Sequence, residues 1–195
     1  KIDRADGSTA ATSMDVSIVA VEEGVYTQAV DGVTMEAVKY TSTITGAKNS
    51  WTAEARNYQN SYTNPVVVGQ VMSANDANWS TFWCMGSSRT SPPDSNNLNV
   101  GKHVAEDPNK TRADETVGYI VIESGNGSIN GVAYAAGVGS DIVRGTGNTS
   151  SGYSYAMTGL SSASAAAVSI AVDEDQLSGT ERNHTTEQLG YFVFE

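Results

Sequence analysis

The chain has 195 residues, 39% of them apolar, and sets 11 basic against 22 acidic side chains for a formal charge of -11. That length can bury a core without covalent staples, and the composition is not the high-charge, low-hydrophobicity mixture of a disordered chain. With so negative a charge and no Lys/Arg cluster, nucleic acid and anionic membrane surfaces are excluded as partners, because both would repel it.

Cys84 stands alone and forms no intrachain disulfide, and with only His103 and His184 beside it a Cys/His zinc site is excluded. No stretch reaches the roughly 18 apolar residues of a membrane span, so membrane insertion is not expected. The first residue is Lys1, as in a piece processed or excised from a longer protein.

After an N-terminal segment over residues 1–15, Ser17 to Gly24 (SIVAVEEG) reads as a strand within an expected Val16 to Glu22 element. Its β-branched residues are apolar on both faces of a period-two pattern, the mark of a strand with cover on either side. The same strand is written twice more, at Gly118 to Gly125 (GYIVIESG) and at Gly190 to Glu195 (GYFVFE). Upstream of these copies Arg112-Ala-Asp-Glu115 aligns on His184-Thr-Thr-Glu187, and Leu98-Asn-Val100 aligns on Ile170-Ala-Val172. Downstream, Val30-Asp-Gly-Val33 resembles Ile129-Asn-Gly-Val132. The chain therefore reads as a tandem duplication, with a complete unit over residues 16–123 and a second, shortened unit over 124–195.

The copies are unevenly spaced. Residue 18 to residue 119 is 101 positions, whereas 119 to 191 is 72. Aligning Pro65-Val-Val-Val-Gly69 on Ala165-Ala-Ala-Val-Ser169 needs a shift of 100 and Leu98 on Ile170 a shift of 72, so the shortfall of 28 falls between Ser169 and Ile170. The second unit thus lacks a counterpart of Gln70 to Asn97, a stretch that reads as a strand end, a polar turn, a strand with two tryptophans, and a Ser/Pro loop. Either a neighbour covers the gap or a loop is hidden at that junction. Turn signals recur at Asp31-Gly32, Asn64-Pro65, Pro92-Pro93-Asp94 and Asn130-Gly131, and no helical spacing persists over three turns. The expected class is all-β, in tandem antiparallel β-sandwich units.

Tyr-Ile/Phe-Val-Ile/Phe-Glu preceded by Arg/His-x-x-Glu, together with Tyr62-Thr-Asn-Pro-Val-Val-Val-Gly69, resembles secreted bacterial β-sandwich surface repeats similar to the H-type lectin fold. The resemblance spans about Ser17 to Glu195. It implies secretion, an H-type lectin-like sandwich, an adhesive or structural role, and glycans as a ligand class.

Three sets of residues invite a chemical role. Trp79 and Trp83 share one face of an extended strand while Phe82 points to the other. An open tryptophan face beside Asn75, Asp76, Asn78 and Arg89 would suit a sugar, although large aromatics in sandwiches more often fill a core. Arg112 with Glu115, and His184 with Glu187, read as structural ion pairs, since a position that exchanges Arg for His is neither a metal ligand nor a base. Asp173, Glu174 and Asp175 offer oxygens for calcium, the one ion the sequence allows for, but lack the EF-hand spacing and read more simply as a solvated acidic loop.

No G-x-S-x-G elbow, phosphate loop or zinc motif is present. The sequence thus points to a non-enzymatic extracellular or cell-surface module, structural or adhesive, associating with itself through the N-terminal strand. A lectin built on the Trp79 to Trp83 strand is the competing reading. A glycoside hydrolase domain, catalytic or accessory, ranks third.

Overall fold

The computed structural model of the chain describes residues 18–48, 50, 52–139, 154–158, 169–173 and 188–194. Among them the expected all-β class holds, with thirteen strands and one helix of four residues.

A four-stranded antiparallel sheet forms the middle of the molecule. It runs in the order β1 (Gly24–Tyr26), β2 (Met35–Ser42), β8 (Glu115–Glu123), β5 (Pro65–Val71). The short helix α1 (Gln28–Asp31) links β1 to β2 and ends at Gly32, whose φ of 73° only glycine adopts without strain. A second sheet is centred on β7 (Leu98–His103), flanked by β3 (Thr45–Gly46), β4 (Glu54–Arg56) and β6 (Thr81–Met85). A third has the order β13 (Gly190–Phe194), β10 (Val132–Val138), β9 (Gly125–Ile129). Finally β11 (Ser154–Thr158) pairs with β12 (Ser169–Asp173). Asn130 and Gly131 both have positive φ, at 52° and 83°, and close the β9–β10 hairpin at one of the predicted turns.

The two-sided apolar pattern of β8 finds cover on both faces. Val117, Tyr119 and Val121 meet Phe82, Leu98 and Val100 of the β7 sheet, with Val67 of β5 and Tyr62 of the preceding loop. On the other face Ile122, with Met35 and Val66, meets Tyr134 and Ala136 of β10, and Ile120 and Phe192 pack alongside. Each fully buried Val or Ile in these layers stabilises the fold by roughly 1.5–3 kcal/mol relative to exposure. Close packing dictates glycine at one point on β5: a Cβ on Gly69 would lie 2.6 Å from the Phe82 ring and 2.7 Å from the Gly118 carbonyl oxygen.

The ladders repeat one register. Gly24 faces Ala37 and Tyr26 faces Met35, while Gly125 faces Ala136 and Gly127 faces Tyr134. Met35 faces Ile122 and Lys39 faces Gly118, while Tyr134 faces Phe194 and Val138 faces Gly190. Ala55 faces Asn99 and Arg56 faces Leu98, while Ala156 faces Ala171 and Met157 faces Ile170. Positions 101 apart in β1 and β9 (24 to 125), 99 apart in β2 and β10 (35 to 134) and 72 apart in β8 and β13 (122 to 194) therefore pair alike.

Two expected elements differ. The strand anticipated over Val16 to Glu22 is not formed among its described residues: 18–23 lie outside every ladder, and pairing starts at Gly24. The central place such a sequence fits is already held by β8. Residues 16 and 17 lie outside the described set. The tryptophan strand begins only at Thr81, so Trp79 precedes it. Ser169 and Ile170 are consecutive members of β12, and its ladder to β11 runs through both without a break.

Candidate functional site

Asn75, Asp76, Asn78, Arg112 and Glu115 converge on one corner, where the loop before β6 meets the loop before β8. Glu115 opens β8 and is almost fully buried. Its carboxylate accepts from the Ser73 hydroxyl, from Asn75 N at 3.1 Å and from Asp76 N at 2.8 Å. Burial alone would raise this carboxyl, but those hydrogen bonds and the nearby Lys102 charge outweigh it and hold it below its ordinary 4.5. Asp76 accepts from Asn78 N at 2.8 Å, from Asn78 Nδ2 at 3.0 Å and from Ala113 N at 2.9 Å. The two backbone amides, Asn78 first, hold its carboxyl below the usual range. Asn75 Nδ2 donates to Asp114 O at 2.8 Å.

Arg112 is the hub of the same corner. Its Nε donates to Trp79 O at 2.7 Å, and its Nη1 to Asn109 O at 2.7 Å and Thr111 O at 2.9 Å. Its Nη2 pairs with Asp107 Oδ2 at 2.6 Å, with the guanidinium side chain at 0% exposure. The expected pairing of Arg112 with Glu115 is thus replaced by two separate devices: the guanidinium ties one loop to Asp107, and Glu115 caps the 73–76 turn. The guanidinium spends its donors on three carbonyls and a carboxylate.

The tryptophans do not form a shared platform. Trp83 is 4% exposed, with its ring edge-on to His103 at 5.3 Å between centroids, and Phe82 is buried on the opposite side. Both faces of β6 are therefore core, since the 44–48 segment and β3 cover the side that the sequence left open. A Cβ on Gly46 would come within 2.6 Å of the His103 ring and 3.3 Å of Trp83 Nε1, which fixes how closely that cover sits. Trp79 is only half-buried and lies outside the strand. Arg89 sits exposed in the loop after β6.

His184, Glu187, Glu174 and Asp175 lie outside the described residues. Of Asp173 only the backbone is described, at the end of β12. Among the described residues no group of three or more His, Cys, Asp and Glu side chains is arranged to hold a metal ion.

Sequence reasoning missed the buried polar residues of the strands. Glu36 on β2 is fully buried, and its Oε2 accepts from Gln59 N at 2.7 Å and Asn60 N at 3.1 Å, pinning the loop ahead of β5. Lys102 is fully buried and donates from Nζ to Ser42 O at 2.6 Å, and burial lowers its pKa against the pull of Asp114, Glu54 and Glu115. His103 is fully buried too, and burial pushes its imidazole down to about 4 while Nδ1 accepts from Ala105 N at 2.8 Å. Burial likewise pushes the Cys84 thiol up to about 12, far from thiolate at neutral pH. The one signal in the sequence was a charged residue at an in-facing strand position, as in Met35-Glu36-Ala37.

Comparison of the chain with protein-family models, with curated proteins and with solved structures gives no match.

Proposed function

We propose that the chain is an extracellular, non-enzymatic structural or adhesive module of tandem β-sandwich units, of H-type lectin-like architecture, that assembles with copies of itself. The observation that carries this reading is residues 18–22. They repeat the sequence of β8, a strand covered on both faces, yet they enter no ladder, and Ile18 and Val19 are 82% and 51% exposed. A β-branched run left unpaired is a template for strand addition. The tandem organisation is supported by the repeated register of β1–β2–β8 and β9–β10–β13.

The sugar reading loses its main support with Trp83 in the core and the Asp76 corner engaged in its own hydrogen bonds. The extracellular setting rests on composition, an acidic surface poor in Lys and Arg. Copies each carrying -11 repel one another, so apolar pairing between them should strengthen as salt screens the charge. Light scattering on a size-exclusion column, run over a concentration series, should give a mass that rises with protein and with salt. A monomer mass at every soluble concentration, in low and high salt, would overturn self-association.

A further inference from the structure

We infer that the 73–78 turn is an acid-sensitive clasp on the start of β8, opening when the two carboxylates that hold it take up protons while the sheets beneath stay folded. The inference stands apart from self-association and uses none of its surfaces.

The turn lies between β5 and β6 and carries no large apolar side chain, reading Ser73-Ala-Asn-Asp-Ala-Asn78. It is held by bonds that end on acids. Glu115 Oε2 accepts from the Ser73 hydroxyl and from Asn75 N, and Glu115 Oε1 accepts from Asp76 N. Asp76 binds in two directions: its Oδ1 accepts from Asn78 N inside the turn, and its Oδ2 accepts from Ala113 N, just ahead of β8. Asn75 Nδ2 to Asp114 O and Thr116 N to Ser73 Oγ cross between the same segments without a carboxylate. A proton on either acid removes the negative charge that these donors meet, and a neutral carboxyl is the weaker acceptor. With so little apolar contact of its own, the turn can open while the layers around β8 remain closed.

The charged groups around the clasp push the same way. Lys102 of β7 donates from Nζ to Ser42 O, and Ser42 is the ladder partner of Glu115. Asp114, Glu54, Glu115 and Asp76 all act on that cation, and Glu54 also accepts from the Ser42 hydroxyl. Arg112, paired with Asp107, acts on Asp76. His103, the next residue of β7, packs against Trp83. Acid discharges the carboxylates and leaves the cations, so what attracts the turn fades and nothing replaces it.

The sign follows from the closed state. Burial raises the Glu115 carboxyl, but the Ser73 hydroxyl and the amides of Asp76 and Asn75 outweigh it and keep the group below 4.5. The amides of Asn78 and Ala113 keep Asp76 below 3.8. Closure is therefore fully favoured above 4.5 and is lost as pH falls through the lowered values.

Hydrogen exchange of single amides in the whole chain, expressed as protection against the unfolded rate at each pH, tests the clasp. Between pH 5.5 and pH 3 the amides of Asn75, Asp76 and Ala113 should lose protection about tenfold, the effect of one unit between the closed and open carboxyl, while the Val121 amide in β8 keeps its own. Glu115→Gln should leave Asn75 and Asp76 poorly protected already at pH 5.5 and flatten their pH dependence. Asp76→Asn should do the same for Ala113, and circular dichroism checks that each variant is folded. If either variant fails to fold, the other and the wild-type profile still decide. Wild-type amides that stay protected to pH 3, or that are lost only together with Val121, overturn the clasp, as does a folded variant that keeps the wild-type acid profile.

Discussion

β8 and β13 spell nearly the same strand, Gly-Tyr-Ile-Val-Ile-Glu against Gly-Tyr-Phe-Val-Phe-Glu, yet they live in different surroundings. β8 is paired on both edges and covered on both faces; among the described residues β13 is paired on one edge, and Phe194 at its end is exposed. The strand's own residues set which side chains share a face and which register it takes against its neighbour. How deeply it is buried depends on strands supplied from elsewhere. The stretch that lacks a counterpart beyond Ser169 contains β6, with Phe82 and Trp83.

The sharpest way to break this contrast is to truncate the same position in both strands. Ile122→Ala should lower the free energy of unfolding by about 2–5 kcal/mol, through lost burial plus the cavity left behind. Phe194→Ala, at the matching place in β13, should cost about 1 kcal/mol or less at concentrations where the chain is dispersed. Urea unfolding followed by fluorescence measures both. Equal losses would mean that β13 is enclosed as fully as β8.

The fold was legible where a residue's role is written in its own neighbourhood. The two-sided apolar pattern of β8 announced a covered strand, and Asn130-Gly131 announced a turn. What stayed hidden depends on distant partners. Nothing around Trp83 tells that β3 and the segment beyond it close over its face, because that cover comes from about 40 residues earlier in the chain. Arg112-x-x-Glu115 suggested a pair by proximity, but Glu115 turns to Ser73 and Asp76 while Arg112 turns to Asp107 and Trp79 O. The Val16 to Glu22 reading took a strand-like sequence for a strand, and nothing in that sequence told that residues 18–23 would enter no ladder.

The corner at Arg112 gives the next comparison, because the sequence that aligns with it has His184 in place of the arginine. Arg112→His makes the same exchange at the described corner. An imidazole cannot reach Trp79 O, Asn109 O and Thr111 O together, and neutral imidazole leaves Asp107 without its cation. The expected loss is about 3 kcal/mol, the usual cost of breaking a buried pair by removing one partner. A loss below about 0.5 kcal/mol, the range of ordinary surface changes, would show that the guanidinium is not holding the loop.

His103 offers the smallest and most selective test. Its imidazole is packed against Trp83 with Nδ1 accepting from Ala105 N, and burial lowers it from 6.5 to about 4. The unfolded chain therefore binds a proton at a pH where the folded chain does not. Stability is full above 6.5, falls as pH drops from 6.5 toward 4, and levels off below. Between pH 7 and pH 5 the loss should be about 2 kcal/mol. The depressed carboxylates pull in the same direction but later, because Glu115 and Asp76 have ordinary values of 4.5 and 3.8 and lose their contribution only as pH falls below those. The part of the slope that lies above pH 5 is thus the signature of the imidazole. His103→Gln, which does not titrate, should flatten it even though the variant starts less stable, and a wild-type curve already flat from pH 7 to pH 5 would mean that His103 accepts its proton inside the folded protein.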